Sequence, residues 1–422
     1  MEEDRYIFLR VPDFVSLKDI NTFAIDRTLS GKSPIGLPKG LGRSLDQAEN
    51  RRRAMLNGGV QIVSTSDAKL AADLRGDPRT IEGSLAMPTC LVKPLTIETP
   101  EEDAGDYAWG IEAVGALDAP GSGAGVKVAV LDTGIDKAHE TFRDKTIVEQ
   151  DFTGEGSGDR NGHGTHCAAT FFGGNVSNVR IGVAPGVSDA FIGKVLRDDG
   201  SGDVGMLVQG LNAAVGFDAD VISISVGFDF PGYVKRLMAN KWDMDLAIAK
   251  ALVVYRDNLR VLDGMLELIR HLGAMNRGAV VVAAAGNDSR SDDRSRIRIP
   301  VSLPAAADGI ISVGALERHA GGLWVPDFSN TLPRLVAPGV AVLSAKARAK
   351  EGDSASALDT KTGTSMACPH VAGVAALWSQ FLGRASPDEV EQHMLESARN
   401  DVFAPDVQPT DRGEGLVAAP RI

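Results

Sequence analysis

Cysteine is scarce in this chain: Cys90, Cys167 and Cys368 are the whole supply in 422 residues. Three thiols so far apart make no disulfide framework, and there is no C-x-x-C pair to grip a zinc ion. Reduced thiols in a cytoplasmic protein are the expectation. Positive charge is in deficit too. Lys plus Arg number 44 against 56 Asp plus Glu, a net charge of −12. A nucleic-acid binder needs a basic face, so no nucleic-acid partner is expected. Long apolar runs are missing as well. The strongest, Ala279–Ala285, falls far short of the ~18 residues that span a bilayer, so no membrane partner is expected either. The opening MEEDRYIFLR is acidic and lacks the apolar core of a secretory leader. A Walker lysine motif is absent, and no G-x-G-x-x-G follows Val126–Leu131, which leaves a nucleotide-binding α/β protein without support.

What is present is globular: hydrophobic residues make up 43% and charged residues 24%, which excludes wholesale disorder. Residues 1–100 read as a small α+β domain. Tyr6–Val11 and Val60–Ser64 have strand patterns, Ser44–Leu56 and Ser66–Leu74 helical ones, and Ile81–Leu95 is extended and apolar. Residues 96–107, TIETPEEDAGDY, suit an exposed linker. From Val126 the rhythm changes. The runs VKVAVLD (126–132), AFIGKVL (190–196), VISISV (221–226), AVVVAAA (279–285) and GIISV (309–313) alternate with helical patterns such as Gly205–Phe217. That alternation predicts an α/β domain over 101–422, with a mostly parallel sheet covered on both faces. One stretch breaks the rhythm, a helical insertion at about 230–277. There Leu252, Leu259, Leu262, Leu266, Ile269 and Leu272 recur at helical spacing. A packed surface arm and a partner or gating element both suit it.

In such sheets chemistry sits just past the carboxyl ends of strands. Asp132 ends the first run. His163 stands in NGHGTH, Asn287 follows VVVAAAG, and Ser365 lies in GTSMACPHVAG, a turn into a small-residue helix. Singly, each has a bland reading: a turn acid, a buried histidine, a turn amide, a helix cap. The HGTH pair could suggest a metal, but a third ligand motif is missing. Jointly they supply what acyl transfer needs. A serine hydroxyl requires a base, an imidazole is that base near neutral pH, a carboxylate orients the imidazole, and an amide donor meets the oxyanion.

These segments resemble the subtilisin-like (subtilase) serine peptidases. VAVLDTGID (128–136), NGHGTHCAA (161–169), VVVAAAGND (280–288) and GTSMACPHVAG (363–373) match the family's signatures in its order Asp, His, Asn, Ser. KVLRDDGSG (194–202), SISVG (223–227), FSNTLPRLVAPG (328–339) and GEGLVAA (413–419) match more weakly. The resemblance implies a subtilisin-like three-layer α/β domain preceded by the small α+β domain. It also implies a serine endopeptidase working through an acyl-enzyme: Ser365 as nucleophile, His163 as base, Asp132 as its partner and Asn287 at the oxyanion. His166 would be structural. A protein or peptide substrate would lie extended between Gly200–Ser201–Gly202 and Ser225–Val226–Gly227. The specificity pocket would be walled by Ser225–Gly227 with Ala284 and Gly286, and Ser302 would stand near its base. Arg290, Arg294, Arg296 and Arg298 form a charged loop suited to solvent or to acidic substrates. Cys167 and Cys368 read as small core residues rather than redox switches. The resemblance implies no required cofactor; it allows a structural calcium ion, common in the family, although no clear carboxylate loop fixes a site for one here.

By the same resemblance residues 1–100 are a propeptide acting as an intramolecular inhibitor, or an accessory domain that stays attached. In the first case Pro94–Pro100 should lie in the substrate cleft, with cleavage near Thr96–Asp106. The insertion and the lack of a leader favour an intracellular processing or regulatory protease. The alternative is a pseudoprotease that binds peptides or partners through the insertion.

Overall fold

The computed structural model describes residues 4–12, 60–95, 105–273, 278–291, 296–348, 354–383 and 385–422. The chain divides into two compact units, Met1–Met87 with Phe230–Leu272, and Pro88–Asp229 with Gly273–Ile422. The expected helix Ser44–Leu56 and most of the 96–107 linker lie outside the described residues.

The first unit joins two pieces far apart in sequence. Strand Tyr6–Arg10 is flanked by antiparallel strands Gln61–Thr65 and Thr80–Leu85. Alternation puts successive side chains on opposite faces, and both faces are covered. Phe8 packs with Ala71 and Leu74 of helix Ala68–Gly76. On the other face, Leu9 approaches Gly264 so closely that a Cβ there would stand 3.2 Å from its Cδ1. Gly264 belongs to the insertion, which forms helix Phe230–Ala239 and a single 30-residue helix, Met244–Gly273. The buried line of that long helix departs from the predicted leucine stripe. Leu262, Leu266 and Ile269 are buried, but Leu252 is 54% exposed. The line instead runs back through Val261, Asn258, Val254, Ala251 and Ala247. Buried Asn258 is the reason an apolar stripe mispredicts the face. Its Nδ2 donates to Ser84 Oγ (2.9 Å), Leu85 O (2.8 Å) and Val254 O (2.7 Å), and its Oδ1 accepts from Met87 N (3.2 Å).

The second unit is built on a twisted sheet. Its described strands run in the order Gly322–Trp324, Ile310–His319, Val280–Ala284, Val221–Ile224, Lys127–Asp132, Asp189–Lys194, Thr146–Asp151, with Leu335–Pro338 also pairing to Ile310–His319. Every pairing is parallel except that of Gly322–Trp324. A parallel sheet needs cover on both faces, and the central strands Val221–Ile224 and Val280–Ala284 are buried along their whole length. Val128, Val130, Val282 and Val313 pack with Ala168, Phe171, Val371 and Ala375 of helices His163–Phe172 and Thr364–Leu382 in one core cluster. This is the three-layer α/β architecture the sequence resemblance implies, with the predicted runs as strands.

Candidate active site

Asp132, His163 and Ser365 all belong to the second unit, and all three are buried. Asp132 ends the Lys127–Asp132 strand, whose neighbours are Val221–Ile224 and Asp189–Lys194. His163 opens helix His163–Phe172 directly after Gly162, whose φ of 87° favours a residue without a Cβ. Ser365 is the second residue of helix Thr364–Leu382. Gly363, which precedes that helix, is a steric necessity, since a Cβ there would stand 2.8 Å from Asn287 Nδ2.

His163 Nδ1 lies 2.8 Å from Asp132 Oδ1 and 3.0 Å from Oδ2. Asp132 Oδ1 also accepts from Thr133 N at 2.7 Å. An ionised carboxylate only accepts, so the proton of a neutral His163 ring sits on Nδ1. Nε2 is then left with a lone pair, the state a general base requires. Asn287 is oriented with equal definition. Its Oδ1 accepts from Thr364 N and Thr364 Oγ1, both at 2.9 Å, which turns Nδ2 outward. Nδ2 donates to Lys93 O at 3.0 Å, and Ser365 Oγ donates to Val92 O, also at 3.0 Å.

Those two carbonyls belong to the chain itself. Strand Pro88–Leu91 lies antiparallel between Ser201–Asp203 and Val226–Phe228. Gly202 pairs with Thr89, Gly227 with Cys90 and Val226 with Leu91, while Leu91 N donates to Gly200 O at 2.8 Å. The two edges expected to hold an extended substrate, 200–202 and 225–227, therefore flank one of the chain's own segments. That segment starts earlier than the expected Pro94–Pro100. Of the latter, Pro94 and Leu95 are described, and Leu95 N donates to Thr362 O at 2.8 Å. A Cβ on Gly227 would come 3.4 Å from Val92 Cγ2, which puts the Val92 side chain against this wall. Around the expected pocket, Ala284 ends its strand and Ser302 Oγ donates to Ala285 O at 3.3 Å. Ser225 Oγ donates to Ser365 O at 3.3 Å, and Gly286 N donates to Thr364 Oγ1 at 3.2 Å.

The remaining residues singled out in the sequence fall into place around this centre. His166 is fully buried, its Nε2 donates to Val342 O at 3.1 Å, and burial drives its pKa down to about 3. It stays a neutral structural ring. Cys167 Sγ lies 3.7 Å from His163 Nδ1 and 3.4 Å from Ser365 O, and burial lifts its thiol well above the ordinary range. Cys368 contacts Ile224 O and Ser223 Oγ, each at 3.5 Å, with its pKa raised by burial to about 11. Burial keeps both thiols protonated. In the charged loop Arg290 donates to the carbonyls of Asn287 and Ser289, and Arg298 pairs with Asp411; Arg294 lies outside the described residues. Among the described residues, the group of three acid, histidine or cysteine ligands close enough to share a metal is Asp132, His163 and Cys167. That set does not fit calcium, which takes about six to eight oxygens.

Sequence reasoning missed two parts of this arrangement. The exact stretch that fills the cleft carries no motif. Asp159, which accepts from Thr133, Gly162 and Thr165, was detectable only as an acid three residues ahead of Gly162, a helix cap without a capping side chain.

A family model described as "Subtilase family" matches residues 123–417. An intracellular serine protease of Paenibacillus polymyxa is 35% identical over 271 residues, covering 61% of this chain and 68% of that protein. The major intracellular serine protease of Bacillus subtilis (strain 168) is 31% identical over 290 residues, 67% of this chain and 75% of that protein. Subtilisin DY of Bacillus licheniformis is 32% identical over 280 residues, 66% of this chain and 85% of that protein.

Proposed function

Because the chain belongs to the subtilase family of serine proteases, we propose that it cleaves peptide bonds with Ser365 as nucleophile, His163 as general base and Asp132 as its orienting carboxylate, and that residues 88–95 hold it in a self-blocked form. In this reading Nε2 of His163 takes the Ser365 proton as Oγ attacks the carbonyl carbon. The resulting acyl-enzyme is released by water activated at the same ring. Asn287 Nδ2 and the first-turn amide of Ser365 receive the oxyanion. Subtilases need no cofactor for catalysis. The observation that carries the proposal is the convergence of Ser365 Oγ and Asn287 Nδ2 on two successive carbonyls, those of Val92 and Lys93, beside the Asp132–His163 pair.

The same geometry supports the block. A hydroxyl has one proton, and that of Ser365 goes to Val92 O rather than to His163. The reacting carbonyl has to face both the nucleophile and the oxyanion donor, but here the donor faces the next one along. A segment held between two edges in this register occupies the cleft without presenting a bond for attack. Residues 1–87 would then be the anchor of an inhibitory strand. The relatives named as intracellular, with the three free thiols, support a processing or regulatory protease acting in the cytoplasm.

A fluorophosphonate probe tests both halves. Full-length protein should label slowly. Labelling at Ser365 should rise as cut fragments appear by mass spectrometry, the cut falling outside the blocked 88–95 register, near Thr96–Asp106, while Ser365→Ala should stay uncut and unlabelled. Immediate complete labelling of uncut chain would remove the block. Cut protein that never labels would remove the peptidase and leave the peptide-binding alternative.

A further inference from the structure

Asp159 is 6% exposed and lies four residues before His163. Its two oxygens receive four hydrogen bonds. Oδ1 accepts from Thr133 Oγ1 (2.9 Å) and Gly162 N (2.8 Å). Oδ2 accepts from Thr165 N (2.8 Å) and Thr165 Oγ1 (2.6 Å). The Thr133 hydroxyl in turn accepts from Gly164 N at 2.9 Å, and the Thr165 hydroxyl from Asp136 N, also at 2.9 Å. Thr133 follows Asp132, and Gly164 and Thr165 follow His163. One buried carboxylate thus ties the turn after the Asp132 strand to the first turn of the His163 helix.

The reason for this arrangement lies in the local sequence. A helix leaves its first amides without intrahelical partners, and a side-chain oxygen at the N-cap usually accepts one of them. Here the cap is Gly162, held at φ 87°, and it has no such oxygen. Asp159 serves Thr165 N from outside the helix, and its other oxygen is left to hold the Asp132 turn. Charge-assisted bonds of this kind are the strong ones, and they fix direction as well as distance.

We propose that Asp159 is a positioning residue of the triad, setting where the His163 ring stands relative to Asp132 and so where Nε2 meets the serine. It acts through Thr133, Gly164 and Thr165 and touches no reacting atom. The inference rests on the assignment of Asp132 and His163 as acid partner and base. It predicts an effect on turnover beyond stability, because a small misplacement of a catalytic group costs up to about 100-fold in rate.

The test is a double-mutant cycle on the full chain, with kcat and KM normalised to titrated active sites and hydrogen exchange confirming the fold. Asp159→Asn keeps the shape but replaces one accepting oxygen with a donor. It should lower kcat about 10- to 100-fold with KM changed less than about twofold. In an Asp132→Asn background it should cost almost nothing more, because the orientation it protects is already lost. Thr133→Val, which deletes only the bridging hydroxyl, should follow the same pattern at about 3- to 10-fold and serves if Asp159→Asn fails to fold. Folded variants with unchanged kcat, or losses that simply add to that of Asp132→Asn, overturn the inference. A normal kcat for Asp132→Asn itself would instead overturn the triad on which it rests.

Discussion

Two buried or half-buried asparagines, one in each unit, show how differently the two parts of this chain use the same amide group. Asn258 spends everything on structure: its oxygen and nitrogen are bound to Met87, Leu85, Ser84 and Val254. Asn287 spends only its oxygen, on Thr364, and the nitrogen is aimed at a carbonyl of the segment in the cleft. A saturated polar group stabilises one conformation. A polar group pinned at one end with the other end directed at a ligand is preorganised for chemistry, because no reorganisation is needed when charge develops. The difference lies in how many of the group's bonds the fold consumes, which neither residue type nor burial reveals.

The sharpest way to press that comparison is to delete each amide and read the rate. Asn287→Ala should lower kcat by about 10²- to 10³-fold while KM changes little, since the donor acts when the oxyanion forms. Asn258→Ala should leave the rate per titrated site unchanged. Steady-state kinetics on a short peptide substrate measures both. Equal rates for Asn287→Ala and wild type would return Asn287 to the class of structural amides and dissolve the contrast.

Acid should separate the units next. Four histidines are buried, His139, His163, His166 and His370, and all belong to the second unit. Burial holds His370 down to about 4, with its Nδ1 at 2.8 Å from Met366 O. Burial, aided by the charge of Lys361 and then by His163, holds His166 down to about 3. Both folded-state values lie below the ~6.5 of an unfolded chain. Above about pH 6.5 neither state binds the proton and the contribution is flat. As pH falls through that value the unfolded state takes up protons first, so stability is lost with falling pH until about 4 for one ring and about 3 for the other. At pH 5 the loss is on the order of 2 kcal/mol for each ring. Urea unfolding of the Ser365→Ala protein at pH 7.5 and pH 5 should show it in probes of the second unit, with His370→Gln removing part of the dependence. A stability independent of pH across that range would mean that both rings are protonated in place.

How much of this was legible in the sequence follows the same divide. The candidate site could be read from the sequence because its proposed parts are local. An acid at a strand end, HGTH at a helix start and GTS at the cap and first turn of a small-residue helix each fix their own surroundings within a few residues, and the parallel sheet brings the strand ends together. The first unit was not legible as one body. Periodicity shows that Met244–Gly273 buries a face, but it does not say that strand Tyr6–Arg10, more than two hundred positions earlier, covers it. The leucine stripe also pointed past Asn258, because a polar residue in a buried line looks like a gap until its four partners are known. Segment 88–91, held between the 201–203 and 226–228 edges, lies ahead of the expected Pro94–Pro100 for a related reason. Backbone pairing holds an extended segment whatever its side chains are, so its register with Gly202 and Gly227 leaves little trace in composition.

The smallest expected effect concerns the first unit alone. Asn258→Ala strips partners from Met87 N, Leu85 O and Ser84 Oγ together, all in a buried setting. Leaving such groups unpaired costs about 1–3 kcal/mol, with a single residue's removal falling in that range when water can reach part of the gap. Local opening of the unit should therefore become easier by about 2 kcal/mol. Amide exchange at Leu85 and Met87 should quicken by about 30-fold, along with the amides of the Tyr6–Arg10 strand that pairs with Thr80–Leu85. Amides of Val128 and Val282 in the parallel sheet should keep their rates. An apolar replacement of similar size, Asn258→Leu, should be worse than alanine, because it fills the space and excludes the water that would otherwise serve the orphaned groups. Equal exchange in wild type and both variants would show that the long helix is held by its apolar line alone, and that the amide, for all its bonds, specifies nothing.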